Sequence, residues 1–491
     1  MRLAELMEGI DLLDFSGSME MNISGISYDS RRVEPGHLFV AMKGEKADGH
    51  RFIGTAVKNG AIAVIHEDET AESAALSGLA SFIRVGSSRK ALAAAANNWY
   101  YRPSEKMTVI GITGTNGKTT TSYILKSIIE AWGRKTGLIG TIQYMIADEA
   151  YNATHTTPES LEFQELLHRM LAAGCSHVIT EVSSHALSQH RVDGTIFRAA
   201  IFTNLTRDHL DFHGTMDEYY SSKQRLFREL LSEGAAAVIN NDDPWGRRLA
   251  ADASGVTMTY GLESGADMLA SEISNTFDGL KFMINLRGSI HEVSSGFVGL
   301  TNVYNILAAA GAAASAGVSW DAILEGIRRT PQVRGRFEKV HAGQKFLAVV
   351  DYAHTEDALE RLIYTARGLT RGRIITVFGC GGDRDRGKRQ KMGAIATRLS
   401  DFVIITSDNP RSERPEDVIR EIETGAVKKN YLTEPDRKEA IRRAVLMAEE
   451  NDVLLVAGKG HETYQEISGE RLPFNDREVL EESIRHLINN A

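Results

Sequence analysis

The stretch Gly111–Thr121, GITGTNGKTTT, carries residue types that bind phosphate. Backbone N–H groups of a glycine loop at the start of a helix hold phosphate anions. The usual spacing is G-x-x-x-x-G-K-[ST]. Here Gly111 lies one position too far from Gly117, and Gly114 lies only three positions before it. An apolar strand-like run precedes the loop and a helical run follows it, so the sequence predicts a nucleotide site in a variant register.

Two residues at later strand ends could hold a metal beside this loop. Glu181, in TEVSSH, ends one apolar run, and His209, in TNLTRDHLDFHG, follows another. A carboxylate and an imidazole near a triphosphate suit Mg²⁺ binding. In the loop, Lys118 would contact the β- and γ-phosphates and Thr119 would reach the metal. The plainer interpretations are a helix-capping glutamate and an ordinary loop histidine.

Length, charge and cysteine content exclude several classes of protein. A chain of 491 residues is expected to form about three domains. The net charge of -9 and the pI of about 6.0 argue against a broad nucleic-acid surface. Cys175 and Cys380 lie far apart, which favours a reducing compartment over a disulfide framework. No secretory signal and no apolar run of about 18 residues is found, so we expect a cytoplasmic protein without a membrane span.

The elements that must position these residues alternate between strand-like and helix-like runs. This alternation predicts an α/β fold with mostly parallel sheets. We expect three domains, at residues 1–105, 106–335 and 336–491. Ligands of such sheets bind outside the carboxyl ends of the strands, and most of the polar motifs fall at such ends. The strand candidates are HLFVAMKG, AIAVIHE, MTVIGIT, HVITEVSS, RAAIFTNLT, AAAVINNDD, FLAVVDYAH, RIITVFGCGG, DFVIITSDNPR and NDVLLVAGKGHE, and the helix candidates are 89–97, 118–132, 388–399 and 436–450.

The order of the motifs is that of a known family. The chain carries GTNGKTTT, EVSSHALSQHR, TNLTRDHLDFHG, YxxxKxxLF, NVYN, GRFE, DYAHT and DNPR in sequence. Over nearly its whole length it closely resembles the Mur ligases, the ATP-dependent amide-forming enzymes of peptidoglycan precursor synthesis, on which cell-wall biogenesis, cell shape and division depend. Their phosphate loop is G-x-x-G-K-[ST], which accounts for the register. The resemblance implies an amino-terminal UDP-sugar-binding domain, a central ATP-binding domain and a carboxyl-terminal, Rossmann-like domain for the amino acid.

The resemblance also implies the residues of three sites. ATP, as co-substrate, would contact Gly114, Thr115, Asn116, Gly117, Lys118, Thr119, Thr120, Asn305, Arg336 and Asp351. Mg²⁺ would be held by Thr119, Glu181, His209 and a carbamylated Lys223 (N6-carboxylysine), so that Lys118, Glu181, His209 and Lys223 form the catalytic set. The UDP-muramoyl dipeptide would contact Ser30, Thr156, Thr157, Ser183, Gln189 and Arg191. From composition alone, Lys223 is typical of a surface lysine.

SDNPRSE resembles the signature of the members that add meso-diaminopimelate to UDP-N-acetylmuramoyl-L-alanyl-D-glutamate, whereas the lysine-adding members lack the arginine. A guanidinium grips a carboxylate with two parallel hydrogen bonds, and the distal end of lysine offers only an ammonium. The plainer interpretation of Arg411 is a surface ion pair with Glu413. The implied diaminopimelate contacts are Arg384, Asp408, Asn409, Pro410, Arg411, Gly458 and Glu462.

The implied chemistry is acyl activation. The D-glutamyl γ-carboxylate attacks the γ-phosphate of ATP to give an acyl phosphate and ADP, and the amine then displaces phosphate. His209 and His354 are both candidates for the base that deprotonates the amine. Domain closure should assemble the site and exclude water. We expect a monomer that binds small molecules and no nucleic acid.

Three other functions compete with this one. They are an L-lysine-adding Mur ligase, a folylpolyglutamate synthetase-like ligase and a non-catalytic P-loop nucleotide-binding protein. Arg411 argues against the first, and the amino-terminal block with DNPR argues against the second. The third would need a base-reading N-K-x-D motif, which we do not find.

Overall fold

The computed structural model describes residues 1–44, 47–68 and 78–489. Its strands form three large sheets and one small hairpin, in chain order along the molecule. The predicted α/β class, with mostly parallel strands, is confirmed. The domain boundaries after residues 105 and 335 stay predictions. Among the described residues, no helix has both the length and the apolar character needed to cross a membrane.

The first sheet has five strands, and one of its edge strands runs antiparallel to its neighbour. The strands predicted in HLFVAMKG and AIAVIHE are confirmed as His37–Val40 and Ala63–His66. The predicted helix 89–97 lies inside Ser88–Trp99. In sheet order the strands are Leu12–Ser16, Ser81–Val85, Ala63–His66, His37–Val40 and Gly25–Ser27. The helices are Leu3–Leu6, Ile53–Lys58 and Ser88–Trp99, with short 3-10 turns at Ser30–Arg32, Gly49–Phe52 and Pro103–Glu105.

The central sheet has eleven strands, with a parallel middle and antiparallel hairpins at both edges. In sheet order they are Ser289–Ser295, Gly279–Leu286, Met268–Thr276, Val256–Gly261, Leu231–Asn240, Phe197–Phe202, Thr108–Thr113, His177–Glu181, Thr136–Ile139, Gln143–Ile146 and Glu149–Asn152. Its helices are Lys118–Ala131, Ser160–Ala172, Ser184–Ser188, Leu210–His213, Met216–Arg228, Pro244–Asp252, Leu300–Ser315 and Trp320–Arg329. Helices on both faces bury the middle strands, which explains their continuous apolar runs.

The third sheet has six strands, five of them parallel. In sheet order they are Glu338–Val340, Leu347–Asp351, Val453–Ala457, Ile374–Phe378, Phe402–Thr406 and Tyr431–Glu434. Its helices are Glu356–Arg367, Gly387–Leu399, Pro415–Glu423, Arg437–Met447 and Asp476–Asn489, and a hairpin of Tyr464–Ile467 and Glu470–Pro473 follows the last parallel strand. The four strands predicted here from the sequence are confirmed, as are the helices at 388–399 and 436–450.

Register brings the polar strand ends of the central sheet together. Thr108–Thr113 lies near the middle of the sheet, paired in parallel with His177–Glu181 on one side and Phe197–Phe202 on the other. Ile112 lies opposite Glu181, and Thr113 lies opposite Phe202. The glycine loop, the Glu181 carboxylate and the loop after residue 202 therefore leave the sheet at the same edge.

Candidate active site

The glycine loop begins where the strand Thr108–Thr113 ends. Gly114 has a φ of 142° and Gly117 a φ of 89°, a region that side chains rarely adopt. A Cβ on Gly114 would also collide with Thr203 Oγ1. The Thr115 backbone N–H donates to the carbonyl of Asn204 at 2.8 Å, which ties the loop to the neighbouring strand end. Helix Lys118–Ala131 follows at once, so the geometry is that of a phosphate-binding loop.

Two lysines share one carbonyl at the base of this loop. Lys118 Nζ donates to the carbonyls of Gly114 and Thr115, each at 2.9 Å. Lys223 Nζ donates to the same Gly114 oxygen at 2.9 Å. Burial, with a smaller contribution from the Lys118 ammonium, lowers the pKa of the Lys223 amine well below its usual value.

Lys223 is buried, so its interpretation as a surface lysine is wrong. The helix Met216–Arg228 turns its apolar face inward, and Lys223 lies on that face among Tyr219, Leu226 and Phe227. Its Nζ lies 4.6 Å from the centre of the Tyr219 ring. The helical spacing of these residues, four and then three or four apart, was the available signal.

Glu181 is fully buried and accepts hydrogen bonds from neutral groups. Thr119 Oγ1 donates to it at 2.9 Å, and the hydroxyl and backbone N–H of Thr141 donate at 2.8 and 3.0 Å. A buried carboxylate beside a loop hydroxyl is an oxygen-donor set that fits Mg²⁺. A carbamate on Lys223, which bonds the same Gly114 carbonyl as Lys118 does, would add further oxygen ligands.

His209 lies in a cluster of aromatic rings that includes Tyr219, the ring that Lys223 Nζ faces. Its ring centre is 4.8 Å from that of His185 and 6.2 Å from that of Tyr219. Desolvation by the surrounding rings lowers the pKa of the half-exposed His209 imidazole to about 4, against the opposite effect of the nearby Asp208 carboxylate, so the neutral form is favoured at neutral pH. A neutral imidazole is the form that binds a metal ion.

The segment after the central domain returns to the phosphate loop. Arg336 Nη2 lies 3.4 Å from Thr119 Oγ1, and its guanidinium lies 5.0 Å above the Tyr352 ring. The Asp351 carboxylate accepts from the backbone N–H of Phe337 at 2.6 Å, and burial raises its pKa. Asn305 lies beside the loop, where its Oδ1 is 3.4 Å from Thr121 Oγ1. Arg336 and Asn305 therefore both reach the first turn of the helix that follows the loop, and Asp351 holds the backbone next to Arg336.

The carboxyl-terminal unit contacts the phosphate loop directly. Asp357 Oδ2, on the helix Glu356–Arg367, accepts from Asn116 Nδ2 at 3.1 Å and from Thr206 Oγ1 at 3.2 Å. With the Arg336 contact to Thr119, these bonds place the two domains together at the loop.

The predicted dipeptide residues divide into two groups. Four of them are linked by hydrogen bonds of 2.7 to 3.5 Å near the end of the strand His177–Glu181: Thr157, Ser183, Gln189 and Arg191. The neighbouring Thr156 bonds the Thr141 hydroxyl at 3.1 Å. Ser30 lies apart, in the first sheet's domain. Next to it, Tyr28 OH donates to Glu162 Oε1 at 2.8 Å, across to the central domain. A cleft of about 300 Å³ opens beside this contact, with Ser27, Asp29 and His37 among its lining residues.

The predicted diaminopimelate residues gather at the carboxyl ends of three strands of the third sheet. Arg411 and Arg384 both lie beside Gly381, since a Cβ added there would be 2.9 Å from Arg411 Nη1 and 3.7 Å from Arg384 Cγ. Asn409 Nδ2 donates to Glu462 Oε2 at 2.9 Å. Gly458, with a φ of 117°, leaves room for the Asp408 carboxylate, which a Cβ would meet at 2.7 Å.

The plainer interpretation of Arg411 is not borne out. Its Nη1 donates to the Gly382 carbonyl at 2.6 Å and its Nε lies 3.5 Å from Glu466 Oε2. Glu413 instead forms a two-bond ion pair with Arg389. The side chain of Arg411 therefore stays at the strand ends, beside Arg384.

The comparisons with known proteins agree along the chain. Residues 22–100 match the Mur ligase family catalytic domain, 112–313 the Mur ligase middle domain and 335–460 the Mur ligase glutamate ligase domain. A protein of Caldanaerobacter subterraneus subsp. tengcongensis, UDP-N-acetylmuramoyl-L-alanyl-D-glutamate--2,6-diaminopimelate ligase, is 44% identical over 98% of both chains. This chain belongs to the Mur ligase family. A solved structure with that same enzyme name covers 99% of both chains at 31% identity and a TM-score of 0.71. The MurF ligase of Thermotoga maritima, solved with ADP, shares the fold at 22% identity, a TM-score of 0.65 and coverage of 95% of this chain and 98% of its own.

In this Mur ligase the structure adds residues that the sequence did not single out. Lys459 is fully buried, and its Nζ donates to Asn409 Oδ1 and to Glu462 Oε2, each at 2.9 Å. Thr141 and Asp357 were also missed, because each reaches the site from a distant part of the chain. For Lys459 a signal existed, since AGKGHE places a lysine directly after an apolar strand.

Proposed function

We propose that this Mur ligase joins meso-2,6-diaminopimelate to the D-glutamyl γ-carboxylate of UDP-N-acetylmuramoyl-L-alanyl-D-glutamate and cleaves ATP to ADP and phosphate. The observation that carries the proposal is the pair Arg384 and Arg411 beside Gly381, at strand ends that also carry Asn409 and Glu462. Two guanidinium groups fit a substrate with a distal carboxylate. The name of the relative that is 44% identical supports the same substrate.

In the first step, the γ-carboxylate oxygen attacks the γ-phosphorus and the bond to ADP breaks. Lys118, at the base of the loop, would stabilise the negative charge that develops on the phosphoryl oxygens. Backbone N–H groups of the loop would orient the phosphates. Bound Mg²⁺, held by Thr119, Glu181, His209 and modified Lys223, would supply charge neutralisation.

In the second step, the amine of diaminopimelate attacks the acyl phosphate, and phosphate leaves with the bonding electrons. The amine must first lose a proton. His209 and His354 are the two candidate bases, and burial lowers the pKa of both rings, so both are neutral. His209 can accept the proton only when its free nitrogen does not hold Mg²⁺, whereas His354 has no proposed metal. The contacts of Asp357 and Arg336 with the loop support a closed arrangement that excludes water from the acyl phosphate.

Lys223 is proposed to carry a carbamate. The neutral amine attacks CO₂, a C–N bond forms, and one proton is released. Burial next to the Lys118 ammonium disfavours a second cation here and favours an anion. The modification would therefore place an anion beside the Lys118 ammonium, in a form that is able to bind a metal.

We further propose that the chain works as a monomer in the cytoplasm, on these small molecules and not on nucleic acid. The direct test is product formation from ATP, Mg²⁺ and the UDP-muramoyl dipeptide with meso-diaminopimelate or L-lysine in parallel. Strong preference for diaminopimelate is expected. Equal use of lysine would contradict the assigned substrate, and ATP hydrolysis without either substrate would contradict the ligase itself.

A further inference from the structure

Glu413 connects the two loops of the amino-acid site, which follow the strands Ile374–Phe378 and Phe402–Thr406. Nothing in the proposed chemistry uses its carboxylate. Its Oε1 accepts from the backbone N–H of Asp383 at 2.7 Å and from Arg389 Nη2 at 2.8 Å. Its Oε2 accepts from Arg389 Nη1 at 2.9 Å and from Arg386 Nη2 at 3.1 Å. These contacts hold the pKa of the Glu413 carboxyl at about 2, mainly through Arg389, so it is ionised at all working pH values.

The partner of this carboxylate is unusual in being fully buried. Arg389, on the helix Gly387–Leu399, has no exposed surface. Besides Glu413 it donates to Glu421 Oε2 at 2.8 Å and to the Gly381 carbonyl at 3.3 Å. A buried guanidinium with a two-bond carboxylate partner has a fixed direction as well as a fixed position.

Further bonds join the two loops on either side of this pair. The Gly382 backbone N–H donates to the Asn409 carbonyl at 2.9 Å. Ser412 Oγ donates to Asp383 Oδ1 at 2.7 Å. Arg411 Nη1 reaches back to the Gly382 carbonyl at 2.6 Å. The two loops are therefore joined by several hydrogen bonds, and those of Glu413 are among them.

We propose that Arg389 and Glu413 are positioning residues for amino-acid selection. Arg384 directly follows Asp383, which Glu413 holds, and Arg411 lies two residues before Glu413. The pair thus fixes the spacing of the two guanidinium groups that would receive the distal carboxylate. The inference rests on the proposed function and adds to it the device that keeps the two arginines in register.

Glu421 provides a matched comparison for this role. It accepts from the same Arg389 nitrogen as Glu413 does, but it lies on the helix Pro415–Glu423. Its described contacts are with Arg386, Arg389 and that helix, and not with the backbone of either loop. A purely structural role for this ion-pair network would lower stability when either carboxylate is removed, without a selective rise in the KM for diaminopimelate. A positioning role would respond to Glu413 alone.

The experiment compares Glu413→Gln with Glu421→Gln and with Arg398→Gln, which removes an exposed ion pair on the same helix as Arg389. We expect Glu413→Gln to raise the KM for meso-diaminopimelate by on the order of tenfold or more, since small misplacements of binding groups are costly. The KM values for ATP and for the UDP-dipeptide should stay within about twofold of those of the unmodified protein. We expect the same of the two control variants. Efficiency with L-lysine should not change, so the preference for diaminopimelate falls.

Arg389→Lys, which keeps the charge and loses the two-bond geometry, gives an independent variant if Glu413→Gln folds poorly. It should show the same split between KM values. Equal shifts in Glu413→Gln and Glu421→Gln, or equal losses with diaminopimelate and lysine, would overturn the positioning role. Failure of the unmodified protein to use diaminopimelate would instead overturn the proposed function, so the two failures are distinguishable.

Discussion

The two ends of the site handle charge in opposite ways. At the phosphate end, the described hydrogen bonds of Lys118 and Lys223 go to carbonyl oxygens, and those of Glu181 come from hydroxyls and a backbone N–H. At the amino-acid end, charged groups meet charged groups: Lys459 bonds Glu462, and Arg389 bonds Glu413.

The difference reflects what each end must do. Charges held by neutral partners are costly to bury, and a polyphosphate with its metal ions would supply the missing opposite charge. Under the proposed function, the amino-acid end must instead distinguish substrates that differ by one carboxylate, which requires groups that are already fixed in place. We infer that the phosphate end relies on ionisable side chains that have only neutral hydrogen-bond partners among the described residues. The amino-acid end relies on charged side chains that are fixed by charged partners.

The largest expected effect comes from removing the loop lysine. Lys118→Met should lower kcat by about a thousandfold, as does loss of one main donor to a developing oxyanion. The loss should be the same with diaminopimelate and with lysine, because the phosphate end acts before the amine is chosen. Steady-state kinetics of ADP release would check this. A loss below tenfold, measured against Lys126→Met on the same helix, would contradict the role of the phosphate end.

Lys223 offers a test in two directions. Lys223→Met should lower kcat by about a hundredfold or more, because the proposed metal ligand is lost. The same variant should raise the melting temperature of the ligand-free protein, since a buried polar amine that bonds one shared carbonyl is replaced by an apolar side chain of similar length.

The carbamate itself can be observed. Equilibration with ¹³C-labelled bicarbonate should give one protein carbamate signal by NMR that is absent from Lys223→Arg. A lower melting temperature in Lys223→Met would show that the buried amine is stabilising, and the contrast between the two ends would then fail at this residue.

Arg411→Ala tests the amino-acid end. Hydrogen bonds to charged groups contribute about 1.5–3 kcal/mol, so the KM for diaminopimelate should rise by about ten- to a hundredfold. The KM for ATP should stay within about twofold. Arg414→Ala is the matched control, because Arg414 lies in the same loop but is exposed and pairs with Glu416. A parallel rise in the KM for ATP would place Arg411 in domain closure and not in substrate selection.

The sequence was sufficient to predict the buried parallel strands and the polar residues at their ends. It was insufficient to predict the exposed antiparallel strands and the contacts between distant strand ends. Runs such as Val453–Ala457 are buried on both faces, so their apolar composition marks them without any structural knowledge. The antiparallel strands at 268–295 were missed because they are half exposed and carry no such run. Thr141 could not be predicted, since its bond to Glu181 spans 40 positions and depends on the order of strands in the sheet.

The contrast between Glu413 and Arg411 shows the same limit from another side. Their proximity in sequence favoured an ion pair, but a buried Arg389 from the preceding helix takes the carboxylate instead. Spacing in the sequence identifies possible ion-pair partners, but it does not show which of them is buried. A buried guanidinium without a carboxylate is far more costly than an exposed one, so the buried arginine takes the carboxylate.

The smallest expected effect concerns the contact between the two ends. Asp357 accepts from Asn116 and Thr206 and so holds the carboxyl-terminal unit against the phosphate loop. Asp357→Ala should raise the KM for ATP only a few-fold, since each such bond contributes about 1 kcal/mol. Glu360→Ala, on the same helix but paired with Arg398, should leave it unchanged. If Asp357→Ala instead raises the KM for diaminopimelate and spares that for ATP, the contact serves the amino-acid end, and the division between the two ends must be redrawn at the helix Glu356–Arg367.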